Sequence, residues 1–348
     1  MRRAILSLLF LGAVVAMVIV LREDLPQPPQ PTPVQPEPQA VVRSVVTGLD
    51  WRKVALPEGT DQVHRSAVDL DRAIFPVQGA DGVRRIVTRS SAAVVTEVAR
   101  GKGPSPLGAA LDGAQLVSYE VSGLTRLSTV DLRTAVRSEA IEQFPAETVA
   151  IAGGSVALLD GDRCLHFLDV VTLRDKIRHC AATGWSISFL TAEMDTVQWR
   201  ETSPGDACAT WFRLEKDTPK VVETGQRACR AATLVLDAGW EVTADFPAYE
   251  LGVLYPGPLV ARQADREIAL DTTVVDVHPC GAHVYWLSKP NNASQQGELA
   301  RWRPGQTVVE VVSVGDGGAA ASPRCVNGVL NVATYGSGAP QLWTLPNP

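Results

Sequence analysis

The six cysteines of this 348-residue chain are the residues whose type and spacing point most directly to chemistry. All of them lie beyond residue 160, and two Gly-Asp-x-Cys segments each lead through an extended run to a second cysteine. Folding each run about its midpoint as a β-hairpin places its two cysteines opposite each other. The spacing therefore predicts three disulfides in an oxidising compartment, the last pair by elimination: Cys164 with Cys180, Cys208 with Cys229, and Cys280 with Cys325.

Two stretches have residue types that bind metals. His278-Pro-Cys280-Gly-Ala-His283 groups two imidazoles and a thiol, but residues five apart on a strand face opposite ways, and Cys280 is assigned to a disulfide. The acidic turns at 160–162 and 315–318 do not continue into a calcium-binding pattern. The sequence predicts no metal ligand, and turns in place of calcium loops.

One stretch bears on catalysis. Gly153-Gly-Ser155-Val-Ala157 is close to a nucleophile elbow, which needs a strand, a tight turn and a helix. Ser155 leads instead into an apolar run that is typical of a strand, so a turn before a strand is the favoured interpretation. No catalytic and no cofactor-binding residue is predicted.

The elements that must position these residues are strands. From about residue 51 the chain alternates short runs of Val, Ile, Leu, Thr and aromatic residues with Gly, Pro, Asp and Asn, and long amphipathic helical periods are almost absent. The two cysteine hairpins are offset by about 44 residues, which is typical of the repeat of a β-propeller. The predicted fold class is all-β.

Repeat units of about 43 residues predict a single propeller, with seven four-stranded blades favoured and six or eight also possible. The last unit is short, and residues 51–56 can supply its missing outer strand and so close the ring. The eight tryptophans occur at roughly the same spacing and are expected to pack between blades. The predicted units are 60–100, 101–143, 144–182, 183–230, 231–272, 273–314 and 315–348.

Three segments, 129–140, 167–179 and 297–312, each read as a strand, a polar turn and a returning strand. Through them, the chain resembles bacterial β-propellers of the broad WD40-like and quinoprotein-like kind. The resemblance covers most of residues 51–348 and concerns architecture. Quinoprotein dehydrogenases often carry adjacent cysteines, and this chain has no Cys-Cys pair, so no quinone cofactor is expected.

The amino-terminal part predicts a membrane anchor and a stalk. Residues 4–21 are uncharged, follow Arg2 and Arg3, and are just long enough to span a bilayer. A cleaved signal peptide, cut after Ala16, is the alternative. Seven prolines within 26–39 predict an extended polyproline spacer. The expected organisation is a single-pass anchor at 1–22, a linker at 23–42 and an extracytoplasmic propeller at 43–348.

The charge and the predicted fold limit the possible functions. The net charge is −6 at pH 7 and becomes more negative without the three arginines of the anchor, so nucleic acid is not an expected partner. A membrane-anchored module that binds a protein or a cell-envelope component is the favoured function. The alternative is an extracytoplasmic hydrolase or lyase with its active site at the channel mouth, because propeller enzymes assemble their sites from distant blades.

Overall fold

The computed structural model describes most of the chain from Gln39 to the carboxyl terminus, and the predicted anchor at 4–21 lies outside it. Within the described residues, no helix is long and apolar enough to cross a membrane. The positions outside the description are 1–38, 61, 71, 91–94, 102–106, 113, 122–123, 143–145, 153, 161–162, 194–195, 204–207, 215–219, 230, 237–238, 246–248, 251–252, 255–256, 292–295 and 347.

The described chain is all-β, as predicted, apart from one 3-10 turn at Val63–Arg65. Strands β1 (Gln39–Ala40), β2 (Val42–Val46) and β3 (Arg52–Val54) come first. Four separate antiparallel sheets of four strands each follow. They fall within the first four predicted repeat units. Their strands are β4 (Ala67–Val68), β5 (Arg72–Gln78), β6 (Arg84–Ser90), β7 (Val95–Arg100); β8 (Leu107–Asp112), β9 (Gln115–Val121), β10 (Thr125–Asp131), β11 (Arg137–Glu142); β12 (Ala146–Ala152), β13 (Ser155–Asp160), β14 (Cys164–Asp169), β15 (Asp175–Cys180); and β16 (Ser186–Glu193), β17 (Thr196–Thr202), β18 (Cys208–Leu214), β19 (Val221–Cys229).

The remaining strands form one hydrogen-bonded network, except for a small separate hairpin of β22 (Tyr249–Glu250) and β23 (Val253–Leu254). Successive antiparallel pairings divide the network into three runs: β20-β21-β24-β25, β25-β26-β27-β28 and β29-β30-β31-β3. A single residue pair joins the second run to the third. The strands are β20 (Ala231–Val235), β21 (Glu241–Asp245), β24 (Gly257–Gln263), β25 (Arg266–Cys280), β26 (His283–Asn291), β27 (Gln296–Trp302), β28 (Val308–Val312), β29 (Ala319–Val326), β30 (Val329–Tyr335) and β31 (Gln341–Pro346).

The two ends of the domain meet in the last run. Arg52–Val54 pairs with β31, so the predicted contribution of residues 51–56 to the last sheet is confirmed. The side-chain amide of the buried Asn331 on β30 then reaches the first sheet. It accepts from the backbone N–H of Val68 and donates to the Val68 carbonyl, both at 2.8 Å. Asn331 thereby acts as a peptide group that joins the last sheet to the first.

Residues 39–46 form a strap on the outside of the network. Strand β1 pairs in parallel with β25, and β2 pairs in parallel with β28. Arg43 on the strap forms an ion pair with the buried Asp271, and the indole N–H of Trp286 donates to the same carboxylate at 2.8 Å. Strand pairing therefore begins at Gln39, ahead of the predicted domain start at residue 43.

Apolar side chains from facing sheets fill the space between them. One cluster, for example, joins Ile74 and Ile86 of the first sheet to Leu116 of the second. Three tryptophans belong to such apolar clusters: Trp199, Trp286 and Trp302. All three are fully buried, and each indole N–H has a hydrogen-bond acceptor. The expected packing role of these tryptophans is therefore observed.

Two disulfides are present in the described residues. Cys164 and Cys180 face each other across β14 and β15 and are bonded. A second disulfide, Cys280 to Cys325, connects strand β25 to strand β29 and so links two runs of the network. For the third predicted pair, the Cα atoms of Cys208 and Cys229 are directly opposite in the register. Their side chains, and the predicted turn at 217–220, lie outside the described residues.

The Asn331 contacts predict a large loss of stability when the amide is removed. Asn331→Ala leaves both of these backbone groups of Val68 without their side-chain partner, and we expect it to lower the free energy of unfolding by about 2–4 kcal/mol. Asn331→Asp keeps the acceptor but places a buried carboxylate against the Val68 carbonyl, so its loss should be at least as large. Chemical denaturation measures the free energy of unfolding of each variant and of the unchanged protein. The exposed Ser337→Ala serves as the control, with a change of about 0.5 kcal/mol or less. Equal losses at both positions would contradict the assignment.

The register of β18 and β19 predicts that Cys208 and Cys229 are bonded to each other. Non-reducing peptide mapping of the intact protein should recover one peptide pair that contains only these two cysteines. A peptide that joins Cys180 to Cys208 would contradict the pairing, because each cysteine would then bond outside its own hairpin.

Candidate functional site

A pocket opens between the first sheet and the second, opposite strand β29. Three polar side chains line it, those of Arg65, Tyr119 and Arg324. The rest of the lining is apolar, and the cavity volume is about 200 Å³. We refer to it as the arginine pocket. Its apolar lining residues are Ile74, Phe75, Pro76, Ile86 and Ala109.

A β-bulge in β29 positions Arg324. The register of β29 against β30 shifts between Ala321 and Arg324, and Ser322 has a positive φ of 46°. The corresponding place in β25 has the same irregularity, where Asp276 has a φ of 52°. Bulges turn side chains away from the regular alternation of a strand, and they are frequent next to functional sites. The bulge is therefore the local feature that brings Arg324 into the pocket.

Arg65 and Tyr119 enter the pocket from different elements. Arg65 ends the 3-10 turn, which the buried Val63 anchors in the core and which the Ser66 N–H closes on the Val63 carbonyl at 3.0 Å. Tyr119 lies on β9, and its ring also packs against the apolar cluster between the second sheet and the third.

Burial lowers the pKa of the Arg324 guanidinium, because the surrounding sheets displace part of its water. Tyr119 and Asp276 act in the opposite direction, whereas the charge of Arg65 lowers the pKa further. By accessible surface the Arg324 side chain is nevertheless exposed, so its guanidinium remains open to solvent.

The three polar side chains of the arginine pocket have unused hydrogen-bonding capacity. Within the part of the chain that the structure describes, Arg65, Tyr119 and Arg324 form no side-chain hydrogen bond and no ion pair closer than 4.0 Å. Other arginines in the protein are paired, such as Arg301, whose Nε donates to Glu310 at 2.6 Å. Two guanidiniums that repel each other and lack partners could together hold an anion.

A second polar cluster lies between the third and fourth sheets. His179 Nε2 is hydrogen-bonded to the buried Glu201, which also accepts from the indole N–H of Trp199 at 3.1 Å. The imidazole packs against Trp199 and Phe212, with ring centroids 5.2 and 5.7 Å away. Both donors to Glu201 come from the interface itself. The cluster therefore fixes the packing of two sheets.

The sequence candidates for metal binding and catalysis are not brought together. His278 and His283 lie on the two strands of one hairpin, and Cys280 is in its disulfide. Within the described residues, no group of His, Cys, Asp and Glu side chains could hold a metal ion. Ser155 opens strand β13, as predicted from the run that follows it.

Sequence reasoning missed the arginine pocket, because its polar residues are single arginines and a tyrosine far apart in the chain. One signal was present beside Arg324. Pro323 stands inside an apolar strand run, and proline within a sheet is found at edges or bulges. A bulge at 322–323 could therefore have been predicted, but not what its side chains would face.

No protein-family model matches the chain, and no match is found among curated proteins. Solved structures do match, at low identity. The β-propeller domain of the trilobed protease from Pyrococcus furiosus is 10% identical, with a TM-score of 0.56 over 81% of this chain and 94% of that chain.

Two further structures give similar values. One of two prolyl endopeptidases is 11% identical with a TM-score of 0.57, over 81% of this chain and 46% of the enzyme, so the chain spans about half of that protein. A chain of the mitotic checkpoint complex is 12% identical with a TM-score of 0.52, over 93% of this chain and 97% of that one. At such identities the likeness shows the fold alone, and together with the closed series of sheets it makes this chain a β-propeller.

Proposed function

We propose that the chain is a membrane-anchored, extracytoplasmic β-propeller that binds a protein or a cell-envelope component through the arginine pocket. One observation carries this proposal. Arg65, Tyr119 and Arg324 converge on a cavity without pairing to each other or to a described neighbour. A single bound anion could accept from donors on all three side chains, which best explains their arrangement.

The size of the pocket supports a large partner over a small one. Sites for whole small molecules and cofactors usually have volumes of about 300–1,000 Å³. The arginine pocket, at about 200 Å³, is smaller. It suits one side chain or one chain end. The remainder of the partner would then lie on the surrounding surface of the propeller.

The domain organisation belongs to the same proposal. The four separate sheets and the three runs of the network support seven four-stranded blades, with the long strand β25 shared by two of them. The anchor at 1–22 and the linker at 23–42 would hold the propeller off the membrane, and the strap from Gln39 would fix where the tether leaves it. Disulfides such as Cys164–Cys180 are typical of oxidising compartments, which supports the extracytoplasmic side.

The alternative of a hydrolase or lyase has less support at this pocket. General acid–base catalysis needs a group that exchanges protons near the working pH. The pocket offers two guanidiniums and a phenol, which suit anion binding better. The similar solved structures include a prolyl endopeptidase and a member of a checkpoint complex, and they favour neither function.

The proposal predicts cross-linking through the pocket in native membranes. The photo-reactive amino acid benzoylphenylalanine would replace Gln62, which immediately precedes the 3-10 turn of Arg65. We expect one major cross-linked partner in cells stripped of any outer barrier. Arg324→Gln in the same protein should reduce its yield about 10-fold or more, since a hydrogen bond to a charged group contributes about 1.5–3 kcal/mol.

Two matched controls define the outcome. Arg174→Gln removes an exposed arginine from the turn between β14 and β15 and should leave the yield unchanged. The photo-reactive residue at position 174 should give a different pattern or none. If Arg324→Gln and Arg174→Gln leave the same yield, the arginine pocket is not the binding site.

The unpaired state of Arg324 also predicts a gain of stability on its removal. Arg324→Met keeps much of the side-chain volume and removes the repulsion between Arg324 and Arg65, so we expect it to raise Tm by about 1–3 °C. Arg43→Met is the opposite case, because it leaves the buried Asp271 without its cation. It should lower the free energy of unfolding by about 3 kcal/mol. Calorimetry on the intact protein measures the Tm of both variants. A loss of stability at both positions would show that Arg324 is a structural residue.

A further inference from the structure

The arginine pocket also defines the chemistry of the group that it takes, if it is the binding site proposed above. We infer that this group is a single carboxylate, as at the carboxyl terminus of a polypeptide or on an acidic side chain. Two properties of the pocket point to this group: its charge and its donors.

The charges around the pocket match a monoanion. Arg65 and Arg324 are the two cations, and Asp276 lies within electrostatic range of Arg324. The three side chains together leave one positive charge in excess. A carboxylate would neutralise it, whereas a phosphate dianion would leave a negative charge in a partly desolvated site, which is unfavourable.

The donors match a flat, two-oxygen acceptor. A guanidinium presents parallel N–H groups in a planar fork that fits the two oxygens of a carboxylate. Two guanidiniums and the hydroxyl of Tyr119 supply donors from different elements of the ring. A carboxylate placed between Arg65 and Arg324 would also relieve their mutual repulsion.

The apolar lining residues offer a ligand almost no surface of their own. Ile74, Phe75 and Ile86 are at most 1% exposed, and the consecutive Ile74 and Phe75 pack into clusters on opposite faces of β5. The group in the pocket is therefore recognised by its charge and by the hydrogen bonds that it accepts.

The overall charge of the protein argues against polyanionic ligands. The chain has a net charge of −6 at pH 7. A nucleic acid or a polyphosphate would be repelled at long range, whereas a single carboxylate on a near-neutral partner would feel mainly the local field of the two arginines.

The test uses four short fluorescent peptides and the full-length protein in detergent or nanodiscs, with binding followed by fluorescence anisotropy. The first peptide ends in Leu with a free carboxylate, and the second is its amide. The third is an amide with an internal Glu-Leu pair, and the fourth carries Gln-Leu in the same place. We expect each carboxylate peptide to bind at least 10-fold more tightly than its neutral match. Arg324→Gln should remove that difference, and Arg174→Gln should preserve it.

The two carboxylate peptides also distinguish a chain terminus from an acidic side chain, and a preference for either supports the inference. Inorganic phosphate serves as a competitor. If phosphate displaces the peptides at concentrations at which acetate does not, the monoanion assignment is overturned. Equal binding of acids and amides, or no binding of any peptide at about 5 mM, overturns it as well. The proposed binding function would still stand in each case if the membrane cross-link depends on Arg324.

Discussion

Closure of the ring is the constraint on which the rest of this structure depends. The last run of strands is completed by β3 from the other end of the domain, and the Asn331 amide joins it to the first sheet through the backbone of Val68. These contacts fasten the last sheet to the first at the seam. They also bring the surroundings of Arg65 and of Arg324 into one place. The arginine pocket therefore exists only because the two ends of the domain meet.

The features that the sequence predicted well are those that local rules determine. A hairpin imposes a register about its own midpoint, so Cys164 and Cys180 could be paired from spacing alone. The role of residues 51–56 followed from counting strands per repeat, because a blade that lacks an outer strand has to obtain one. Period, turn residues and cysteine spacing all act over a few tens of residues, and a single sequence displays them.

The features that could not be predicted depend on contacts between distant segments. The strap is an example, since Pro-rich composition suggested that the linker continues to residue 42. Gln39 and Ala40 instead pair with Ile268 and Ala269, which no local pattern reveals. The same holds for His179 and Glu201, which meet across two sheets, and for Arg324, whose direction is set by a bulge. A bulge shifts a side chain out of the regular alternation, so periodicity places it on the wrong face.

The two kinds of arginine in this propeller show how stability and binding are divided. Arg43 forms an ion pair with the buried Asp271, and this ion pair holds the strap in place. Arg324 is exposed and has only the more distant Asp276 and the repulsive Arg65 within electrostatic range. Folding gains no ion pair from that arrangement, and the two like charges repel each other. The unpaired arginines thus stand where folding alone would not place them, at the one seam where both ends of the domain contribute to a single surface.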